Sequence, residues 1–122
     1  MDEKFVRPLE FVGSARKDLK AMPGAIRRAF GTALFLAQSG EKADNAKPLK
    51  GFHGAGVLEI VEDHDTDTYR AVYTVRFAEM VYVLHVFQKK SRTGITTSQR
   101  DLELITRRLK KAEEMYADRD VD

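Results

Sequence analysis

The sequence predicts a small α+β domain, and three observations support that prediction. Three consecutive runs rich in β-branched and aromatic residues lie between positions 57 and 88, joined by short connectors. Before and after these runs, apolar residues recur every three or four positions, as they do on one face of an amphipathic helix. The 122 residues suffice for one hydrophobic core of ordinary size and are too few for two. We therefore expect one sheet packed by helices from both ends of the chain.

The N-terminal part is predicted to form a short strand followed by a pair of helices. Residues 5–12 alternate loosely, and Pro8 lacks an amide donor, so this strand suits only the edge of a sheet. Ser14 is a good N-cap for a first helix, Pro23 is expected to end it and open a second, and Gly40 marks the close of the second. The apolar stripe of this predicted helical hairpin consists of Leu19, Met22, Ile26, Phe30, Ala33 and Leu34.

The middle of the chain is predicted to be a surface loop followed by an antiparallel meander. Residues 41–56 are polar and rich in glycine, which is typical of a loop. The runs 57–62, 68–76 and 81–88 are separated by connectors too short for crossovers, so with the edge strand they predict an antiparallel sheet of about four strands. In the second run, Tyr69, Ala71 and Tyr73 share a face that is expected to be core, and Arg70 lies on the other, mixed face.

The C-terminal part is predicted to be one basic amphipathic helix. Its N-cap is expected among Thr96, Thr97 and Ser98. The apolar stripe consists of Leu102, Ile105, Leu109 and Ala112. We predict a single domain over residues 1–117, and we expect the acidic tail 118–122 to fray because it has no core-facing pattern.

Composition excludes several classes of protein. Cysteine is absent, which rules out disulfides, thiolate metal sites and cysteine nucleophiles. No apolar run reaches the length of a membrane span and the N-terminus does not resemble a secretion signal, so a cytoplasmic protein is expected. The sequence has no phosphate-binding glycine loop, dinucleotide fingerprint or nucleophile elbow. His53 and His64 lack the companions of a metal site, so we predict neither a metal nor another cofactor.

The net charge of +2 is modest, so any argument for anion binding depends on where the charges lie. Basic density is highest at 88–92, at the end of a predicted strand, and at 107–111 on the last helix. The helical charges are interpreted as a solvated face. His85, Phe87 and Lys89 share a strand face, where stacking, proton exchange and charge neutralisation could coexist. A lone strand histidine is more often a packed structural residue, and that interpretation stays open.

A cross-strand ion pair is also predicted. If the hairpin turn is centred near His64 and Asp65, then Glu59 lies roughly opposite Arg70. Such a pair could orient a catalytic arginine or simply set the register of the sheet.

Five segments in fixed order carry a resemblance to a known family. They are residues 12–19, Lys47-Pro48-Leu49-Lys50-Gly51, residues 57–60, residues 68–73 and Val83-Leu84-His85-Val86-Phe87-Gln88-Lys89-Lys90-Ser91. Together they resemble toxins of the RelE superfamily, in the HigB or phage Gp49-like branch of type II toxin–antitoxin systems. The resemblance covers nearly the whole chain, and the His-x-Phe-x-Lys-Lys segment is its most specific part.

The resemblance implies a RelE-like fold and a metal-independent endoribonuclease that cleaves messenger RNA, commonly on the ribosome. It also implies a cognate antitoxin, typically a helix-turn-helix DNA-binding protein, through which the complex would meet operator DNA. In such enzymes the ribose 2′-hydroxyl attacks the adjacent phosphate, and the protein supplies a base, an acid and positive charge.

The catalytic roles are carried over position by position. The resemblance implies that Arg70, Lys89 and Lys90 stabilise the pentacoordinate phosphate. His85 would transfer protons or position the nucleotide, and Glu59 would orient Arg70 or act as a base.

The resemblance also implies a set of RNA contacts. Lys47 and Lys50 would hold the RNA backbone, and Phe87 and Arg92 would complete the RNA-binding surface.

Two other functions remain open at this point. The first is a phage-derived relative that keeps the fold and binds a partner protein or RNA without cutting it. The second, weaker alternative is a toxin of the same fold directed against DNA gyrase, because a fold constrains function only through its site.

Overall fold

A computed structural model describes residues 5–52, 54, 56–89 and 97–119. The elements in chain order are β1 (Leu9–Phe11), α1 (Ala15–Lys20), α2 (Gly24–Gln38), β2 (Ala46–Pro48), β3 (Val57–His64), β4 (Asp67–Thr74), β5 (Val81–Lys89) and α3 (Gln99–Asp118). Helices α1 and α2 pack on one face of the sheet and α3 packs on the other. The predicted α+β class, the N-terminal helical pair and the C-terminal helix are confirmed.

The sheet has five strands in the order β1-β5-β4-β3-β2. The pairs β2–β3, β3–β4 and β4–β5 are antiparallel, whereas β1 runs parallel to β5, with Leu9 paired to Val81. The expectation of about four strands, all antiparallel, is therefore corrected to a mixed sheet of five. A parallel pairing is sterically accessible because two helices and three strands separate β1 from β5. The edge position predicted for the first strand is confirmed.

Strand β2 lies inside the segment that was predicted to be only a surface loop. Lys47 pairs with Glu59 of β3, and the flanking residues Ala46 and Leu49 are buried. A strand of three residues is too short to show an alternation of apolar and polar side chains, so the sequence pattern did not indicate it. It forms because it pairs with the free edge of β3. Pro48, the last residue of this strand, is tolerated because β2 forms the other edge of the sheet.

A two-residue turn connects β3 and β4. Asp65 and Thr66 have φ values of 50° and 70°, and His64 pairs with Asp67. Two consecutive left-handed residues give the backbone twist that suits a tight hairpin. The turn is centred one residue later than the sequence suggested, so Glu59 pairs with Val72 and lies diagonal to Arg70 rather than opposite it. The predicted cross-strand ion pair between Glu59 and Arg70 is confirmed.

Both faces of β4 are buried. Tyr69, Ala71 and Tyr73 pack against α1 and α2, which confirms the predicted core face. Val72, on the other face, packs in a second cluster beneath α3. The face predicted to be mixed is therefore also covered, and Arg70 on it is buried.

A β-bulge interrupts the pairing of β4 with β5. Val72 pairs with His85 and the next residue, Tyr73, pairs with Val83, so Leu84 is the extra residue. Leu84 packs in the cluster beneath α3, and His85 also contacts α3. In a regular strand, the consecutive residues Leu84 and His85 would point to opposite faces. The bulge lets both side chains face α3.

Helix α3 begins at the predicted place. The Ser98 hydroxyl accepts a hydrogen bond from the Asp101 backbone amide at 3.1 Å, as an N-cap does. Ile105 and Ala112 are fully buried in the predicted stripe. The helix continues to Asp118, and fraying of the remaining tail stays a prediction because residues 120–122 lie outside the described part. Of the described helices, none combines the length and apolar character that crossing a membrane requires.

Candidate functional site

A cleft of about 480 Å³ opens between β2, the sheet and the first turn of α3. It is lined by Lys47, Pro48, Leu49, Lys50, Gly51, Glu59, Arg70, Thr97 and Leu102. Lys47 and Lys50 are exposed, whereas Glu59 and Arg70 are only 5% and 3% exposed. The cleft therefore combines a cationic rim with an ion pair at its base. Its volume is in the range of sites that bind small ligands.

The ion pair at the base of the cleft joins two neighbouring strands. Nη1 of Arg70 on β4 donates to Oε1 of Glu59 on β3. The same Nη1 lies 3.5 Å from Oγ1 of Thr97, which precedes α3. A charge taken out of water must be paired, so this arrangement holds the guanidinium in one orientation.

The β5 residues predicted for the site lie beside the cleft. Phe87 is directly opposite Arg70 in the sheet register, and Lys89 is opposite Thr68. Partial burial, and secondly the nearby positive charge of Arg70, lower the pKa of Lys89, while Glu59 acts in the opposite direction. Lys89 is therefore within electrostatic range of the ion pair, although it does not line the cleft.

His85 is buried beneath the first turn of α3 and is 7% exposed. Its Nε2 lies 2.8 Å from Oδ1 of Asp101, and its ring stacks on Phe87 with centroids 4.3 Å apart. Burial lowers the pKa of His85, and the hydrogen bond to Asp101 opposes that shift. Within the described part of the chain, Nδ1 of His85 is buried without a hydrogen-bond partner. This is the environment of a packed histidine, and the imidazole does not reach the cleft.

The structure thus separates the predicted residues into two groups. The cleft brings together Glu59, Arg70, Lys47 and Lys50. The second group, on β5, consists of His85, Phe87 and Lys89.

The remaining predictions concern two cationic residues and two histidines. Lys90 and Arg92 lie outside the described residues, as does His53. His64 lies at the end of β3, where its Nε2 is 3.4 Å from a carboxylate oxygen of Asp65. Among the residues that the structure describes, no three His, Asp or Glu side chains are grouped as metal ligands would be.

Two residues at the site were not predicted. Thr97 was expected only as an N-cap, and Asp101 was given no role. The available signal for Asp101 was the spacing Ser98-x-x-Asp101, a variant of the pattern in which a cap and the third helical residue bind each other. The contact between Asp101 and His85 could not be predicted from a local sequence pattern, because the two residues are 16 positions apart.

The basic run on α3 is partly structural. Nη1 of Arg108 donates to the backbone oxygen of Leu84 at 2.9 Å, and Nη2 lies 3.0 Å from Oγ of Ser14. Arg108 therefore ties α3 to β5 and to the start of α1. Lys110 and Lys111 are exposed, which agrees with the interpretation of this face as solvated.

Comparison with known proteins places the chain in a family. The sequence profile of the phage-derived Gp49-like protein family matches residues 17–110. A solved structure, the RelBE2 toxin–antitoxin complex from Mycobacterium tuberculosis, contains a chain that is 25% identical, with a TM-score of 0.49, over 75% of this chain and 100% of that one. No curated protein sequence matches this chain. The match to the profile covers most of the sequence, and the chain therefore belongs to the phage-derived Gp49-like family, as its motifs predicted.

Proposed function

We propose that this protein is the toxin of a type II toxin–antitoxin system and cleaves messenger RNA as a metal-independent endoribonuclease. The observation that carries the proposal is the buried pair of Arg70 and Glu59 at the base of a cleft whose rim bears Lys47 and Lys50. Membership of the Gp49-like family and the resemblance of the ordered motifs to RelE-superfamily toxins point in the same direction.

The cleft suits a segment of single-stranded RNA. Lys47 and Lys50 are exposed and would contact successive phosphates, which is the usual source of affinity for nucleic acid. Leu49 and Leu102 provide apolar surface within the same cleft, against which a base can pack. Lys90 and Arg92, which follow Lys89 in the sequence, are proposed to extend this cationic surface.

The proposed reaction uses the RNA's own nucleophile. The ribose 2′-oxygen bonds to the adjacent phosphorus while the bond from phosphorus to the 5′-oxygen breaks, which yields a 2′,3′-cyclic phosphate and a free 5′-hydroxyl. Arg70 and Lys89 would stabilise the extra negative charge of the transition state. Glu59 is the acidic residue that lines the cleft, so it would accept the proton from the 2′-hydroxyl as well as orient Arg70.

The leaving 5′-oxygen needs a proton. We assign that proton to Lys89, which follows Phe87, the partner of Arg70, by two residues on β5 and is within electrostatic range of Arg70 and Glu59. Its lowered pKa also lets it release a proton more readily than an ordinary lysine. His85 is given no direct chemical step, since its imidazole is buried between Phe87 and Asp101.

Two partners follow from the proposal. A net charge of +2 gives weak general attraction to RNA, so the ribosome would supply the bound messenger that this protein cuts. A cognate antitoxin, proposed to be a helix-turn-helix DNA-binding protein, would neutralise the toxin until it is degraded.

A binding module that does not cut RNA is the second candidate, and one observation favours it. Arg70 and Glu59 satisfy each other's charge in a position that is nearly inaccessible to solvent. A pair of this kind can have a purely structural role in the sheet. Lys47 and Lys50 would then bind RNA or a partner protein without catalysing cleavage.

Rapid mapping of new 5′ ends separates these candidates. The protein would be expressed from a tightly repressed promoter, with and without the adjacent reading frame, and transcripts would be sequenced within minutes of induction. We expect cleavage inside translated codons, suppressed by the neighbouring gene product. Intact transcripts with unchanged growth would favour the binding module, and DNA breaks with intact transcripts would indicate a gyrase-directed toxin.

Variants then test the site itself. Glu59→Gln keeps an acceptor for Arg70 but removes the base. It also leaves the charge of Arg70 buried without its counter-charge, so cleavage is measured at a temperature where circular dichroism shows the variant folded, and there it should be abolished. Lys47→Ala with Lys50→Ala should weaken cleavage through RNA binding. Lys110→Ala with Lys111→Ala is the matched control, because it removes the same charge from exposed positions outside the cleft. Full cleavage by Glu59→Gln would refute the assignment of the base.

A further inference from the structure

We propose that Asp101 is a positioning residue of the cleft: through His85 it anchors the first turn of α3 on β5, and so holds Thr97 against Arg70. The inference deepens the proposed function, and its effect on RNA cleavage rests on that function. The anchor itself is a property of the folded protein and can be tested separately.

The carboxylate of Asp101 joins two parts of the molecule. Its Oδ1 lies 2.8 Å from Nε2 of His85 on β5. Its Oδ2 accepts a hydrogen bond of 2.8 Å from the Ser98 hydroxyl, and that same hydroxyl accepts one from the Asp101 amide. Both oxygens are therefore engaged, and the cap of α3 is tied to the sheet by one side chain.

The sheet end of this anchor is firmly held. His85 is 7% exposed, pairs with Val72 in the ladder and stacks on Phe87 with an interplanar angle of 15°. Phe87 in turn lies directly opposite Arg70. The imidazole thus offers Asp101 a fixed partner two residues along β5 from Phe87, the residue opposite Arg70.

The helix end of the anchor carries part of the cleft wall. Thr97 adjoins the cap residue Ser98, and Leu102 follows Asp101; both line the cleft. Oγ1 of Thr97 lies 3.5 Å from the Nη1 of Arg70 that binds Glu59. If the first turn of α3 shifts, Thr97 and Leu102 move with it. Small displacements of the residues that position reacting groups can lower the rate of catalysis substantially.

Charged groups on two helices, α1 and α3, act on His85. Burial and the charge of Arg108 on α3 lower the pKa of His85, whereas Asp101 on α3 and Asp18 on α1 raise it. Neutralising Asp101 while Arg108 and Asp18 remain should therefore shift the titration of His85 to lower pH. That shift reports directly on the contact, whether or not the protein cuts RNA.

The test compares Asp101→Asn with Glu103→Gln. The first change removes the charge but keeps the shape and a hydrogen-bonding group for Ser98. The second makes the same change of charge on the exposed side of the same helical turn, outside the cleft. The first readout is NMR of the full chain: for Asp101→Asn we expect a lower His85 pKa and shifted resonances at Thr97 and Arg70, and for Glu103→Gln neither.

The second readout is cleavage of a short RNA at a temperature where every variant is folded. Asp101→Asn should reduce kcat by on the order of tenfold to a hundredfold while KM changes little, because RNA binding is assigned to the lysines at the rim. Wild-type kcat in Asp101→Asn, or unchanged Thr97 and Arg70 resonances, would overturn the positioning role. If the wild-type protein cuts no RNA, the proposed function fails, and the NMR comparison still decides whether the anchor exists.

Discussion

Arg70 and Glu59 form a buried ion pair although they are not cross-strand partners in the register of β3 and β4. Glu59 pairs with Val72, and Arg70 pairs with Val61, so the two charged residues are diagonal neighbours on one face. Diagonal neighbours in a sheet remain within reach of a long side chain. The arginine spans the offset, and the resulting pair forms the base of the cleft.

Removing one partner of this pair should cost much more than replacing both. Arg70→Met leaves the carboxylate of Glu59 buried without its cation, and we expect a loss of about 3–5 kcal/mol in the free energy of unfolding. Adding Glu59→Leu removes that stranded charge and should restore most of the loss. Urea denaturation of the two single variants and the double variant measures the coupling, and additive losses would contradict a direct interaction.

The two lysines at the rim should determine the salt dependence of RNA binding. If Lys47 and Lys50 each neutralise one phosphate, replacing both by alanine should reduce the slope of log affinity against log salt by about 1.4. A 2′-O-methyl oligonucleotide, which lacks the attacking hydroxyl, allows binding to be measured without cleavage. The control with Lys110 and Lys111 replaced should keep the wild-type slope. Equal slopes for both double variants would place the RNA elsewhere.

Burial of His85 predicts a loss of stability in mildly acidic solution. Because burial lowers its pKa in the folded protein, the unfolded chain takes up the proton first as the pH falls. The stabilising contribution is therefore complete above the unfolded pKa, about 6.5, and is lost as the pH falls through the folded pKa.

The measurement is the urea midpoint between about pH 8 and about pH 5.5, for the wild type and for His85→Gln. We expect the wild type to lose stability across this range more steeply than the variant. His53 and His64 are present in both proteins, so their titration largely cancels in the comparison. An equal or smaller loss in the wild type would mean that the attraction of Asp101 outweighs burial.

The same substitution should have opposite effects at two glycines. Gly13 has a φ of +60°, and a Cβ there would lie 2.8 Å from Nε of Arg108, so Gly13→Ala should lower stability by about 1–2 kcal/mol. Gly31 lies within α2, and the space that an added methyl group would occupy is open, so Gly31→Ala should raise stability by about 0.5–1 kcal/mol. Thermal melts of both variants provide the check, and a stabilising Gly13→Ala would contradict the left-handed backbone of Gly13 and its close approach to Arg108.

Much of the fold could be predicted because its signals are local. The apolar stripes of α2 and α3 recur at helical spacing, and Ser98 was within the predicted set of caps for α3. The three long strands also followed from their composition. Elements whose existence depends on a distant partner were not predictable in this way: β2 has three residues and forms because β3 presents a free edge.

The sequence by itself determined the α+β class, the order of the helices and long strands, the family, and the residue types available to the site. Only the tertiary structure decided which of those residues meet. The bulge at Leu84 placed His85 beneath α3, and the Asp65-Thr66 turn set Glu59 diagonal to Arg70. An inserted residue, as in a bulge, reverses which face the following side chains occupy, and a turn that moves by one residue shifts each cross-strand partner by two positions. Both depend on packing between distant segments.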